Sequence, residues 1–310
     1  MTAADFLMLD AVPMLIGVLA SVACALPGNF LLLRRQALIG DAISHVVLPG
    51  IVAAFILTGL KSAWPMMLGA GAAALVAVGL IEAVRRLGRL ESGAAMGVVF
   101  TTMFAAGVLA LELTDTAGVH LDVDHALNGN LESLIWLEGA AGWGALTDPA
   151  ALAGLPDALG RLALVLIAIG ALMALFWKEL AIATFDPGFA ATAGIPVGAM
   201  SVGLVVVTAV AAVAAFDAVG SIIVIAMFIC PPAAARLMTD RLGVQVASSM
   251  GFAAVSAVVG CLVAAHLPPL IGLGAVSAAG MIATVSGLLL GIACLAAPRR
   301  RADAHGVALG

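Results

Sequence analysis

The stretch GDAISHVVLPG, from Gly40 to Gly50, places an aspartate and a histidine at the start of a long apolar run. Asp41 and His45 are four residues apart, a spacing that puts two side chains on one face of a helix. Ionisable groups inside a membrane helix are costly and therefore indicate function. Arg34 and Arg35 precede the run and indicate which end of the helix faces the cytoplasm. The stretch predicts a membrane helix that carries part of a path for a cation.

The composition of the chain sets its class. It has 310 residues, of which 64% are hydrophobic and only 10% are charged, whereas about 25% of the residues in a soluble domain are charged. We therefore expect an all-α, polytopic integral membrane protein with a single transmembrane domain over residues 1–310. The four cysteines lie in apolar runs without a CxxC pair, which argues against a disulfide framework or a zinc knuckle.

Nine apolar stretches approach the length of about 20 residues that a helix needs to cross a bilayer. They are 11–33, 42–60, 64–84, 94–113, 161–177, 197–215, 219–235, 244–265 and 275–297. The stretch 125–155 is mildly apolar and rich in glycine and alanine, and it leaves open a re-entrant or half-length helix there.

The distribution of lysine and arginine predicts the orientation. If Arg34 and Arg35 are cytoplasmic, alternation of the nine spans places all the remaining lysines and arginines on the same side, except Lys61 and Arg161. We therefore expect a multi-pass protein of the plasma (inner) membrane with its N-terminus outside. The C-terminal tail, 298–310, is expected in the cytoplasm.

Asp41 and His45 have two interpretations. An aspartate oxygen and a histidine nitrogen form a mixed ligand set that suits Mn²⁺, Fe²⁺ or Zn²⁺. Two ligands from one helix leave the shell incomplete, so water, another helix or a second copy of the chain must supply the rest. Alternatively, Asp41 caps the start of the helix and His45 is a satisfied core residue. The spacing alone leaves both interpretations open.

A second candidate cluster lies in the segment expected outside the membrane, in the sequence HLDVDH. Its four potential ligands for a divalent ion are His120, Asp122, Asp124 and His125. The cluster lies within the segment 115–157, which contains acidic residues but no lysine or arginine. This segment is either an ordinary solvated loop or a vestibule that concentrates cations.

A short segment on the expected cytoplasmic side has helix start and stop signals. Pro187 follows Asp186 and suits the first turn of a helix, and Gly194 is a typical helix stop. The segment 184–196 is therefore either an ordinary connecting loop or a short helix that contacts a partner.

Three sequence motifs resemble one family. They are LLLRRQALIGDAISHVVLPGIVAAFILTG (31–59), KELAIATFDPGFAATAGIPV (178–197) and AVGSIIVIAMFICPPAAARLMTDRL (218–242). The chain resembles the membrane permease subunits of manganese, zinc and iron ABC importers. The resemblance implies a type II ABC-importer-like helical bundle. Asp41 and His45 match the family's metal-coordinating positions. The resemblance also implies an ATPase-coupling helix with the residues Phe185, Asp186, Pro187, Ala190 and Gly194.

The resemblance further implies the partners of the chain. It implies a homodimer that works by alternating access, with cytoplasmic ATP-binding subunits and an extracytoplasmic solute-binding protein, in contact with membrane lipid and without nucleic acid. The chain lacks the G-x-x-x-x-G-K-[ST] motif, so we expect that it does not bind ATP in that way. The resemblance implies a transporter subunit that is not itself an enzyme, with ATP hydrolysed by the separate partner subunits. The resemblance implies Mn²⁺, Zn²⁺ or Fe²⁺ as the cargo, and no permanently bound cofactor is expected.

Two other functions remain as alternatives. A secondary transporter coupled to protons would use Asp41 as the proton carrier and need no ATPase. An intramembrane metal-dependent hydrolase would use Asp41 and His45 around a metal, but the sequence offers no evident third ligand or nucleophile and no H-E-x-x-H motif.

Overall fold

The protein is described by a computed structural model that covers residues 3–36, 38–59, 63–113, 129, 131–270, 272 and 276–307. Within these ranges the regular structure is helical and no strand is present, which confirms the all-α class. The helices are α1 (Val12–Leu33), α2 (Leu38–Thr58), α3 (Ala63–Gly88), α4 (Ser92–Leu113), α5 (Pro149–Ala153), α6 (Asp157–Leu175), α7 (Trp177–Phe185), α8 (Pro187–Thr192), α9 (Val197–Val219), α10 (Ser221–Met238), α11 (Leu242–Leu270) and α12 (Ala278–Val307).

Among the described residues, seven helices are long and apolar enough to cross a membrane. Two shorter apolar helices, His45–Thr58 in α2 and Ile223–Met238 in α10, accompany them. Each of the nine stretches predicted from the sequence overlaps one of these helices over its described residues. The first helix begins earlier than the apolar pattern, because a π-helix over Phe6–Ala11 continues directly into α1.

Helix α1 is the centre of the bundle. Most of its side chains are buried, and it packs against α6, α9, α10 and α11. Apart from Ser21 and Asn29, its residues are apolar on every face, which is typical of a helix surrounded by other helices. Gly28 permits the closest approach, because a Cβ atom there would collide with the backbone oxygen of Phe228 in α10. The position of α1 thus depends on small residues that let backbones meet.

Helices α2, α3 and α4 form a second packed group. A Cβ atom on Gly50 of α2 would lie 2.6 Å from the carbonyl oxygen of Gly69 in α3. A Cβ atom on Gly107 of α4 would lie 2.7 Å from Cβ of Pro49 in α2. Both distances are too short for real contacts, so glycine is needed at both positions for α2 to lie between its two neighbours.

The segment before α6 consists of short pieces. Leu131–Ser133 and Leu137–Thr147 are 3₁₀ helices, and α5 follows them. The buried Trp136 fastens this segment, since its backbone N–H donates to the carbonyl of Met8 (3.0 Å) and its Nε1 donates to the carbonyl of Ala151 (2.8 Å). The described residues of 125–155 therefore cover the N-terminal end of the first helix and do not form a half-length helix. The segment 131–153 is called the cap below.

We predict that Gly69→Ala lowers the stability of the protein by about 1–3 kcal/mol, because the added methyl group overpacks the contact between α2 and α3. Thermal unfolding in detergent, followed by circular dichroism, measures the change.

Gly71→Ala is the matched control, because Gly71 lies on the same helix with open space around it. Its stability should stay the same or rise by up to about 1 kcal/mol, since alanine favours helix over glycine. Equal unfolding temperatures for the two variants would contradict the account of this contact.

Candidate functional site

The turn between α1 and α2 sets where the candidate metal-binding helix begins. The N–H of Gln36 donates to the carbonyl of Leu31 (2.8 Å), and the N–H of Arg35 donates to the carbonyl of Leu32 (3.0 Å). This pair of bonds is the Schellman arrangement that ends many helices. Arg35 has a φ of 57°, the left-handed conformation that the arrangement requires. The turn is closed by backbone hydrogen bonds, and α2 begins two residues after it.

His45 lies in the first half of α2 and is half-buried against α4. Its ring stacks on Phe100, with centroids 5.1 Å apart and an angle of 17° between the planes. Phe104 meets the same ring edge-on, with centroids 5.7 Å apart and an angle of 83°. Aromatic pairs of this kind contribute about 0.5–1.5 kcal/mol each beyond the area that they bury. The two phenylalanines therefore restrict the orientation of the imidazole.

The backbone of Asp41 lies on α2, one helical turn before His45. The side chain of Asp41 lies outside the part of the chain that the structure describes. The other four candidate ligands, His120, Asp122, Asp124 and His125, lie outside the described residues altogether. Among the residues described, no three His, Cys, Asp or Glu side chains come together as a metal-binding group.

Sequence reasoning missed the aromatic support of His45. Phe100 and Phe104 are four residues apart, in the sequence FTTMF, and so lie on one face of α4. That spacing predicts that both rings contact the same neighbouring helix, but it does not identify that helix.

The segment after α6 folds into two short helices, α7 and α8. Asp186 caps α8, since its Oδ1 accepts a hydrogen bond from the N–H of Phe189 (2.8 Å), and Pro187 occupies the first turn. Helix α8 ends in a second Schellman arrangement, in which the N–H of Ile195 donates to the carbonyl of Ala190 (2.9 Å). Gly194 has a φ of 79° there, which glycine adopts without strain.

Two large apolar side chains project from this segment. Phe185 and Phe189 are each 58% exposed, whereas Ala190 is fully buried. Phe185 ends α7 and Phe189 lies on the capped helix α8, so the two exposed rings flank the Asp186 cap. They form an apolar projection of the kind that partner surfaces bind.

The segment 184–196, here called the α8 segment, lies at the same end of the bundle as the α1–α2 turn. The Arg34 side chain in that turn donates from Nε to Thr184 in the last turn of α7 (2.9 Å). Two exposed ion pairs, Arg85–Glu82 and Arg236–Asp240, lie near the ends of α3 and α10. Exposed pairs contribute little to stability, but these four basic and acidic groups indicate a polar surface at this end.

Burial lowers the pKa of Arg34 from its ordinary value. The guanidinium nevertheless stays charged at neutral pH, because its ordinary pKa is far above 7.

Comparison with known proteins identifies the family. The model of the ABC 3 transport family matches residues 6–135 and 156–297. The chain therefore belongs to the ABC 3 transport family, which confirms the resemblance that the three motifs indicated.

The relatives include membrane subunits of two transport systems. The chain is 39% identical over 285 residues to the manganese transport system membrane protein MntD of Bacillus subtilis, with 91% of this chain and 90% of the relative covered. It is 37% identical over 295 residues to the zinc transport system membrane protein TroD of Treponema pallidum, with 94% and 74% covered. The fold is similar to PsaBC from Streptococcus pneumoniae in complex with Fab, with a TM-score of 0.74, 26% identity, and 91% of this chain and 89% of that chain covered.

We predict that Asp186→Ala frays α8, because the change removes the side chain that accepts from the Phe189 N–H. Loss of such a cap costs about 1 kcal/mol, which corresponds to about fivefold faster amide hydrogen exchange in the first turn. Hydrogen exchange followed by mass spectrometry measures the rate.

Asp186→Asn is the control, since asparagine keeps the accepting oxygen and caps helices as well as aspartate does. The exchange rate of this variant should match that of the unmodified protein. Equal protection of α8 in the alanine variant would show that the cap does not hold the helix.

Proposed function

We propose that this chain is the membrane-spanning permease subunit of an ATP-driven importer of a divalent transition metal ion: Mn²⁺, Zn²⁺ or Fe²⁺. The observation that carries the proposal is one turn of α2, which combines the positions of Asp41 and His45 inside an apolar bundle. Membership of the ABC 3 transport family and relatives named for manganese and zinc transport support it.

Asp41 and His45 hold the ion in transit. A carboxylate and an imidazole suit these three ions, and the stacked Phe100 keeps the imidazole in one orientation. Ligands with a fixed orientation bind an ion with less loss of conformational entropy. A shell with open positions also suits transport, because the ion must leave as well as enter.

A second copy of the chain completes the path. Two protein ligands on one helix are fewer than the four that Zn²⁺ commonly takes or the six that Mn²⁺ takes. In a homodimer with two-fold symmetry, a residue that lies beside the symmetry axis faces the same residue of the other copy, and we place Asp41 and His45 beside that axis. Water and the second Asp41–His45 pair then supply the remaining ligands.

Separate cytoplasmic subunits hydrolyse ATP and act on the α8 segment. Phe185 and Phe189 are the contacts that enter a cleft on the ATPase, and Asp186, Pro187, Ala190 and Gly194 give the segment its shape. A solute-binding protein delivers the ion from outside. The basic end of the bundle, which contains Arg34 and the α8 segment, then faces the cytoplasm of the plasma (inner) membrane.

We predict that His45→Ala and Asp41→Ala each abolish metal uptake, because each change removes a ligand that the ion needs in transit. The measurement is ATP-dependent uptake of Mn²⁺, Zn²⁺ and Fe²⁺ by vesicles that contain the permease with its ATPase subunits. Co-purification of the ATPase subunits should remain unchanged.

His266→Ala and Asp157→Asn are the controls, since both residues are exposed and belong to α11 and α6 rather than to α2. They should transport like the unmodified protein. Normal uptake of all three ions by either the His45 or the Asp41 variant would rule out this site.

We predict that Phe185→Ala weakens binding of the ATPase subunits by about tenfold or more, as expected when an anchoring aromatic side chain is truncated at an interface. The affinity of the detergent-solubilised permease for its ATPase subunits measures the effect.

Trp143→Ala is the control for this prediction. Trp143 is also a largely exposed aromatic residue, but it lies in the cap at the opposite end of the bundle. An unchanged affinity in the Phe185 variant would argue that the ATPase binds elsewhere.

A further inference from the structure

The Arg34 side chain joins three parts of the molecule. It projects from the end of α1, where the turn into α2 begins. Its Nε donates to Oγ1 of Thr184 in α7 (2.9 Å), and its Nη1 donates to Oγ of Ser201 in the first turns of α9 (3.0 Å). Hydrogen bonds to a charged group are roughly twice as strong as those between neutral groups.

The two acceptors are held in position by their own helices. The Thr184 hydroxyl donates to the carbonyl of Leu180 (2.6 Å), and the Ser201 hydroxyl donates to the carbonyl of Val197 (3.0 Å). Because each hydroxyl proton is used within its own helix, the free lone pairs of both oxygens remain for the guanidinium. The arrangement around Arg34 is therefore directional.

Helix α7 is fastened to α1 at both of its ends. The Trp177 ring at its start meets the buried Phe30 of α1 edge-on, with centroids 5.8 Å apart. The bond from Arg34 to Thr184 fixes its end, two residues before the Asp186 cap of α8. A displacement of α8 therefore acts on the end of α1 through a short chain of contacts.

We propose that Arg34 is the positioning residue that links movement of the α8 segment to the start of α2. Hydrogen-bond networks and rigid helices are the physical means by which such coupling is carried. The α1–α2 turn is closed by its own backbone bonds, so a shift of Arg34 also shifts the turn that leads into α2. The inference rests on the proposed function, because it assigns α8 to the ATPase contact and α2 to the metal.

The test uses the permease reconstituted in vesicles with its ATPase subunits, and it measures metal uptake and ATP hydrolysis together. The ions supplied are Mn²⁺, Zn²⁺ and Fe²⁺. For Arg34→Gln we expect normal assembly and continued hydrolysis, but about tenfold less metal transported per ATP, the scale that loss of a charged hydrogen bond gives. Arg34→Lys should restore part of the ratio, because lysine keeps the charge and reaches one hydroxyl.

Thr184→Val is a second test, because it removes an acceptor of Arg34 and should lower the ratio of ions to ATP.

Two matched controls separate the role of Arg34 from effects of charge and of packing. Arg35→Gln removes the neighbouring, exposed positive charge and should keep the normal ratio of ions to ATP. Thr208→Val removes a buried hydroxyl that bonds only the Leu204 carbonyl of its own helix among the contacts described, and it should leave the ratio unchanged.

The outcomes are distinguishable. A normal ratio of ions to ATP in both the Arg34→Gln and Thr184→Val variants would overturn the inference. A proportional loss of uptake and hydrolysis in both would assign Arg34 a purely structural role and would also overturn it. If the unmodified complex shows no ATP-dependent uptake, the proposed function itself fails, and the inference fails with it.

Discussion

The architecture of the candidate site depends on backbone contact between α2 and its neighbours. Gly50 and Gly69 let α2 and α3 touch, and Gly107 lets α4 reach Pro49. Within a bilayer, helix association depends on close packing and on polar contacts between helices, because lipid is as apolar as the side chains themselves. The same close approach brings α4 near enough for Phe100 to stack on His45. The small residues therefore determine both the fold of this group and the orientation of its imidazole.

At the end of the bundle where α8 lies, buried polar side chains join α1 to α11. Nδ2 of the buried Asn29 in α1 donates to Oγ of Ser249 in α11 (2.6 Å), and Nε2 of Gln245 donates to Oδ1 of Asn29 (3.1 Å). Buried polar groups are costly unless they are paired, so these bonds fix α1 against α11 in one register. At the same end of α1, Arg34 donates hydrogen bonds to α7 and α9. The central helix is thus anchored on one side and linked to the α8 segment on the other.

The sequence was informative where structure depends on composition or on neighbouring residues. The apolar runs predicted the membrane helices, and Pro187 and Gly194 predicted the limits of α8 because a helix start and stop are local features. The earlier start of the first helix was missed, since Asp5 and Asp10 interrupt the apolar pattern while the backbone remains helical. The partners of Arg34 lie 150 and 167 residues away in the chain, so only the packing of α1, α7 and α9 reveals them. The stacking of His45 on α4 depends in the same way on tertiary packing.

In the proposed mechanism, ATP hydrolysis by partner subunits drives a metal ion past Asp41 and His45. Uptake of Mn²⁺, Zn²⁺ and Fe²⁺ by vesicles that contain the complete complex tests this mechanism, with ATP supplied or withheld and with a protonophore present or absent. We expect that the uptake of at least one of these ions requires hydrolysable ATP and continues when the proton gradient is collapsed. Uptake that proceeds without ATP and stops when the protonophore is added would contradict it and would favour a proton-coupled transporter.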